Sequence, residues 1–355
     1  MHGETLIMGA FLVVIVAVLL FDLLVVGRNS HVVKTKEALM WTSVWVSLAV
    51  LFYFILANFG HLLHDIDTPE RLRQISSMYS PDLHYVTNDF QSMLREYRQH
   101  MGINYLTGFF IEQTLSIDNV FVILVLLQGF GVQLENYKKV LFWGILGAIV
   151  LRFIFIFVGS ALVQKFDWIL LVFGAFLVYQ SVHLLVAKDH GMKDPQTHPV
   201  VRFLSKKIRL IPYYIGGKFW TVENRKLYFT PLFVVLVMIE FTDLLFAVDS
   251  IPAVFAVTRD PYIVFFSNIF AIIGLRSLFF LLAGLVEKFK YLKHGVSLLL
   301  AFVGFKLLLH SWLEEIGFKS WYSLVFIGFV LVASVTVSML LADKKPAVTA
   351  DPSAE

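Results

Sequence analysis

Ile111–Val122 reads IEQTLSIDNVFV and Met238–Val254 reads MIEFTDLLFAVDSIPAV, and the two stretches are copies of one element. Laying Asp118-Asn119 on Asp249-Ser250 sets Glu112 on Asp243. Each copy then holds an acid, five residues, and an Asp followed by a small polar residue. Glu240 is an additional acid without a counterpart in the first copy. The correspondence continues through Leu151-Arg152 and Leu275-Arg276, then Lys165-Phe166 and Lys288-Phe289, and on to Phe176 and Gln180 against Phe302 and Lys306. A repeat of this length governs the architecture, so the rest of the chain is read around it.

Working outward, 58% of the 355 residues are hydrophobic and 15% charged, with a mean hydropathy of +0.76. Such a chain has lipid as its principal solvent. A hydrocarbon core about 30 Å thick takes roughly 20 apolar residues per helix. Stretches of that kind run over Leu6–Val26, Ala38–Phe59, Ile103–Gln128, Val140–Val163, Trp168–Ala187, Leu232–Val257, Tyr262–Val286, Val296–Trp312 and Trp321–Leu341. Met1–Thr5 lacks the basic start of a cleavable signal, so the first apolar run reads as a span. The predicted fold is an all-α polytopic membrane protein of about nine transmembrane helices.

Loops alternate across such a bundle. The side that takes the loops after the first, third, fifth and seventh spans plus the C-terminus carries 19 Lys and Arg, against 7 on the other. Positive charge stays in the cytoplasm, which places the N-terminus outside and the C-terminus inside. Residues 1–101 form two spans and an external amphipathic loop that opens on His61, His64, Asp65 and Asp67. Residues 102–187 make the first three-helix repeat and 188–229 a basic cytoplasmic linker. The second repeat is 230–313, and 314–355 the last span and tail. Three spans per repeat is odd, so the second copy enters the membrane from the opposite side. This is the inverted arrangement of secondary transporters, with substrate at the midplane between the halves. The basic linker needs only the positive-inside bias to explain it, and nucleic acid is not an expected partner.

Nine ionisable residues fall within the spans: the acids Asp22, Glu112, Asp118, Glu240, Asp243 and Asp249, and the bases Arg152, Arg276 and Lys306. Each costs at least a few kcal/mol there unless paired, hydrated or functional. The excess of acids calls either for protons or for a cation. Arg152, Arg276 and Lys306 read as counter-ions or gates, Lys306 with Glu287 or Asp249 for a partner. Asp22 stands near the end of its span and can snorkel to water. Residues six apart on a straight helix point about 120° away from each other, so Glu112 and Asp118 share a site only if the helix is interrupted. Pro252 removes the N–H that would bond Val248, and predicts a break beside Asp249.

Carboxylates, the Asn119 amide and the Thr242 and Ser250 hydroxyls are hard donors suited to Mg, Ca or Mn. Zero cysteines exclude disulfides, thiolate metal sites and Cys nucleophiles. No intramembrane HExxH, Ser/Lys pair or P-loop is present, and an enzyme is not expected.

Together with the two acidic elements, EFTDLLFAVDSIPAVFAVT followed by NIFAIIGLRSLFFLL and the opening LFDLLVVGR resemble the TerC/Alx family of bacterial membrane proteins, named from tellurium resistance. The resemblance implies divalent-metal homeostasis in the bacterial inner membrane, chiefly manganese efflux. On this chain the implied metal residues are Glu112, Asp118, Glu240, Asp243 and Asp249, with Asn119 and Asp22 at their margin. The expected activity is therefore a secondary transporter exporting a hard divalent cation, Mn²⁺ foremost with Ca²⁺ or Mg²⁺ as alternatives, coupled to protons. No prosthetic group is expected, and membrane lipids are the remaining partner. The competing reading is a non-transporting stress-resistance scaffold that docks others through its long outer loop and its basic linker.

Overall fold

In lipid a backbone N–H or C=O has no water to bond, so an apolar stretch closes its own hydrogen bonds and becomes a helix. The computed structural model describes residues 2–21, 35–166, 168–186, 199–223, 225–283, 292–309, 312–313, 318 and 320–340. The helices are α1 (His2–Phe21), α2 (Thr35–Phe59), α3 (Pro69–Tyr79), α4 (Phe90–Gly129), α5 (Leu134–Lys165), α6 (Trp168–Val186) and α7 (Pro199–Lys207). After a hairpin of β1 (Trp220–Glu223) and β2 (Lys226–Phe229) come α8 (Pro231–Phe255), α9 (Pro261–Ala283), α10 (Leu292–Leu308) and α11 (Ser320–Leu340). Among the described residues four helical stretches are long and apolar enough to cross a membrane: Lys36–His64, Leu134–Lys165, Pro231–Phe255 and Pro261–Leu281. Shorter apolar helices accompany them. The chain is a polytopic helical membrane protein.

α9 is the hub: 83% of its most apolar stretch is buried, against 11% for α2 on the periphery. α4 and α5 pack against α9, α4 and α5 also pack against α8, and α6 lies along α10. Exchanging α4, α5 and α6 for α8, α9 and α10 maps these pairings onto one another. Between α1, α2, α4 and α9 the phenylalanines interlock. The Phe11 ring centroid lies 4.5 Å from Phe266 and Phe52 lies 5.2 Å from Tyr105, in the offset geometries that aromatic quadrupoles favour.

Three expectations change. α4 starts at Phe90 rather than Ile103, capped by Asp89, whose carboxylate accepts from Ser92 N at 2.9 Å. Its 40 residues span about 60 Å, twice the hydrocarbon thickness, so its first turns project beyond the membrane. Second, α4 and α8 are uninterrupted, and α8 runs straight through Pro252. The proline sits in the last turn, where only the carbonyl of Val248 loses a donor while Ala256 N still bonds Pro252 O at 3.1 Å. Third, the second half of the basic linker is a built platform, in which β1 and β2 pair in antiparallel register.

The opposite end of the bundle is closed by His64, wholly buried after the 3₁₀ turn Gly60–His64. Its Nδ1 is 3.0 Å from Glu4 Oε1 and its Nε2 is 2.9 Å from Asp260 Oδ2. This ties α1 and the α8–α9 turn to the loop, and neither Glu4 nor Asp260 stood out in the sequence.

α6 and α10 touch backbone to backbone through glycine, the usual way helices approach closely in lipid. Ser181 and Ser297 donate reciprocally to each other's carbonyl oxygens, at 2.9 and 2.8 Å. A Cβ on Gly304 would meet Val178 Cγ2 at 2.8 Å and Gly174 O at 2.9 Å. Gly304→Val is therefore expected to lower stability by about 1–3 kcal/mol through overpacking, seen as a lower thermal midpoint in detergent. A midpoint equal to wild type would show that this contact does not hold the two helices together.

Candidate functional site

Arg152 stands near the middle of α5 and is 1% exposed. Its Nη1 donates to Glu112 Oε1 of α4, and to Asn268 Oδ1 of α9 at 2.7 Å. Its Nη2 donates to Asp243 Oδ1 of α8 at 3.1 Å. One guanidinium thus joins four helices. Asn268 is oriented for this by its own helix, since its Nδ2 donates to Val264 O at 3.0 Å and leaves Oδ1 for the arginine. Asn268 does not stand out in the sequence because the polar donors weighed there are those within the two acidic elements; an amide inside the apolar run SNIFAIIGL is the signal that could have found it.

Glu112 is completely buried and Asp243 nearly so. Each spends one oxygen on Arg152, while Glu112 Oε2 and Asp243 Oδ2 have no hydrogen-bond partner among the described residues. Glu240 lies one turn before Asp243 on α8. Its carboxylate sits over Gly147 of α5, where any Cβ would overlap it, and its Oε2 is also without a partner. The two carboxylates that hold the guanidinium already leave a formal charge of −1, and Glu240, packed on α5 at Gly147, five residues before Arg152, adds a further acid. Buried oxygens of this kind are costly unless something binds them.

The remaining expected residues divide. Asn119 is buried on α4, and Ser250 is buried on α8 with its Oγ unpartnered among the described residues. Thr242 turns its hydroxyl back to Met238 O at 2.7 Å. The side chains of Asp118 and Asp249, and the whole of Asp22, lie outside the described residues. Among those described, no three His, Asp or Glu side chains converge closely enough to hold an ion by themselves.

Arg276 and Lys306 are elsewhere. Arg276 lines a cavity of about 20 Å³ with Glu37, Trp41 and Lys138, at the end of the bundle that bears the hairpin. Lys306 lies at the opposite end, across a cavity of about 50 Å³ from Asp82 of the α3–α4 loop. The expected partners of Lys306, Glu287 and the side chain of Asp249, fall outside the described residues; among those described, Asp82 is the acid that shares its cavity. Asp82 Oδ2 is also 3.3 Å from His100 Nε2 of α4. Burial pushes the Asp82 carboxyl up, but the hydrogen bond and charge of His100 and the charge of Lys306 outweigh it and hold the carboxyl at about 2.

A family model described as the integral membrane protein TerC family matches residues 97–346. A membrane protein of Myxococcus xanthus named as uncharacterized is 39% identical over 350 residues, covering 98% of this chain and 97% of its own. The Escherichia coli K12 protein named "Putative membrane-bound redox modulator Alx" is 40% identical over 315 residues, covering 86% and 87%. A Rickettsia felis membrane protein is 36% identical over 331 residues, covering 93% and 96%. No solved structure matches the chain.

Two outcomes follow from the charges. Arg152→Leu strands Glu112 and Asp243 as unpaired buried anions and is expected to cost about 3–5 kcal/mol, whereas Arg152→Leu combined with Glu112→Leu and Asp243→Leu recovers most of it. Thermal unfolding in detergent reads both, and a triple variant no more stable than the single one contradicts the pairing. Asp82 has a depressed carboxyl, so its stabilisation is present above its unfolded value of 3.8 and is lost as pH falls toward 2. The gap in melting temperature between wild type and Asp82→Asn should be widest above about pH 4 and close as pH approaches 2.

Proposed function

We propose a transport function for this chain, which belongs to the integral membrane protein TerC family: it is a secondary transporter that exports a hard divalent cation, manganese foremost, through the carboxylates around Arg152. The observation that carries this reading is the set of buried carboxylate oxygens without partners, Glu112 Oε2, Asp243 Oδ2 and Glu240 Oε2, gathered from α4 and α8. Oxygen donors of this kind suit Mn²⁺, Mg²⁺ or Ca²⁺. Asp118 and Asp249 stand six residues beyond Glu112 and Asp243 on the same uninterrupted helices, about 120° round the axis, so with Asn119 they are proposed as a further station on the ion's path rather than as ligands sharing one site with Glu112 and Asp243.

The proposed architecture is nine spans built on an inverted repeat, and the exchange symmetry of the helix pairings supports it. The N-terminus is read as external and the C-terminus as cytoplasmic, in a bacterial inner membrane. Moving a divalent cation outward against an inside-negative potential costs about 4.6 kcal/mol per 100 mV, and inward protons are the proposed source. Glu240, next to Asp243 and unpaired with any base among the described residues, is the proposed proton carrier.

Arg152 has a defined part in this scheme. It holds one oxygen each of Glu112 and Asp243, so an arriving ion competes with a tethered cation for the same carboxylates. The guanidinium keeps the ion-free site electrically tolerable and must yield when the ion binds. Redox modulation, named for the Escherichia coli relative, would have to work in this chain without thiols of its own, because it has no cysteine.

The decisive experiment is ion flux in vesicles reconstituted with the full chain, comparing Mn²⁺, Ca²⁺, Mg²⁺ and Zn²⁺ with and without a pH gradient. Manganese flux that rises with the gradient, and falls to the level of protein-free vesicles in Asp118→Asn, Asp249→Asn and Glu112→Gln, is the expected result. Absence of flux for every ion, or full flux in all three variants, overturns the reading.

A further inference from the structure

From the last turn of α7 to the start of α8 the chain exposes Lys206, Lys207, Arg209, Lys218, Arg225 and Lys226, against the single acid Glu223. Positive-inside bias explains the charge but not the apolar surface presented beside it. Cross-strand partners share a face of a hairpin. The register pairs Trp220 with Phe229 and Val222 with Leu227, and sets Thr221 with Tyr228 and Glu223 with Lys226 on the other side. The first face is apolar and open: Trp220 is 55%, Val222 65% and Leu227 46% exposed; on α7, which packs against α8, Phe203 is 62% exposed.

This platform is fixed to the helix ends. Tyr214 Oη donates to Phe130 O at the end of α4 (2.7 Å), and Lys139 Nζ of α5 donates to Gly217 O (2.5 Å). Thr230 Oγ1, the N-cap of α8, donates to Lys218 O (2.7 Å), and Phe229 N to Arg209 O (2.8 Å). Phe229 immediately precedes that cap and stands opposite Trp220. Trp220 is therefore held where α8 enters the membrane, the level at which tryptophan is favoured.

We infer that α7 and the β1–β2 hairpin form a lipid-docking surface, whose apolar face lies in the headgroup boundary while its surrounding Lys and Arg bind the phosphates of anionic phospholipids. Charge complementarity and continuity with the end of α8 select this occupant. An amphipathic, strongly basic element anchored at the bilayer surface binds anionic headgroups by combining apolar burial with electrostatic attraction. Nothing in this inference depends on whether the protein carries an ion.

The test uses the full chain in nanodiscs of phosphatidylcholine and phosphatidylglycerol, with bromine placed on the acyl chains of one lipid or the other. Subtracting the signal of Trp220→Phe isolates quenching of Trp220. Stronger quenching by brominated phosphatidylglycerol than by brominated phosphatidylcholine at equal fraction is expected. That excess should be lost in Lys206→Gln/Lys207→Gln/Lys218→Gln and diminish as salt screens the headgroups. Equal quenching by the two lipids, or none, overturns the proposal. Val222→Cys gives a unique thiol in a chain without cysteine, and a nitroxide there should report headgroup depth even if Trp220→Phe folds poorly. Disulfide linkage of two Val222→Cys copies would instead assign the face to a second molecule and likewise overturn it.

Discussion

A guanidinium with almost no contact with solvent has to be neutralised where it stands, because arginine does not give up its proton at any accessible pH. Arg152 meets that demand by drawing Glu112, Asp243 and Asn268 from three other helices onto one group. The relative placement of α4, α5, α8 and α9 is therefore set as much by charge as by apolar packing. Such a cluster is weak evidence of stability for its own sake, since a hydrocarbon core of equal volume would serve as well. Its persistence with oxygens left over points to a purpose beyond packing.

The sequence repeat is more symmetrical than the site built from it. Arg152 and Arg276 occupy matched positions in the two copies, yet among the described residues it is Arg152 that holds Glu112 and Asp243. Arg276 lies toward the hairpin end with Glu37 and Lys138 around the same small cavity. Glu240 has no counterpart in the first copy, and Gly147 is what leaves room for its carboxylate. Two related halves thus supply unequal parts: α4 and α8 bring the acids, α5 the base and the gap, and α9 the amide that holds the base in place.

Much of the fold was legible because lipid imposes a simple rule, and an apolar run of sufficient length has no option but to be helical. What the rule does not reach was misread. The first turns of α4 are polar and lie beyond the apolar stretch, so their helicity rests on the Asp89 cap. Pro252 was overrated as a breaker because the cost of a proline depends on how much helix follows it, and α8 ends at Phe255. The acids of the site could be picked out because each is expensive in a membrane. Their partners could not, since spacing along one helix says nothing of which neighbour it faces. Asn268, Gly147 and Asp82 are all contributions of that kind.

The same geometry shapes how an ion would meet the site. Glu112 and Asp243 each present one oxygen bound to Arg152 and one without a partner. An incoming cation can therefore make its first bonds on the unoccupied oxygens while the guanidinium still holds the others. Two cations sharing two carboxylates repel at short range in a medium of low dielectric, and the tethered one is the one that can swing away without leaving the protein. Departure of Arg152 would release Asn268 and loosen the polar link that joins α9 to α4 and α8 within this cluster. On the proposed function, ion binding and the packing of the central helix would be one event, the coupling that alternating access would require.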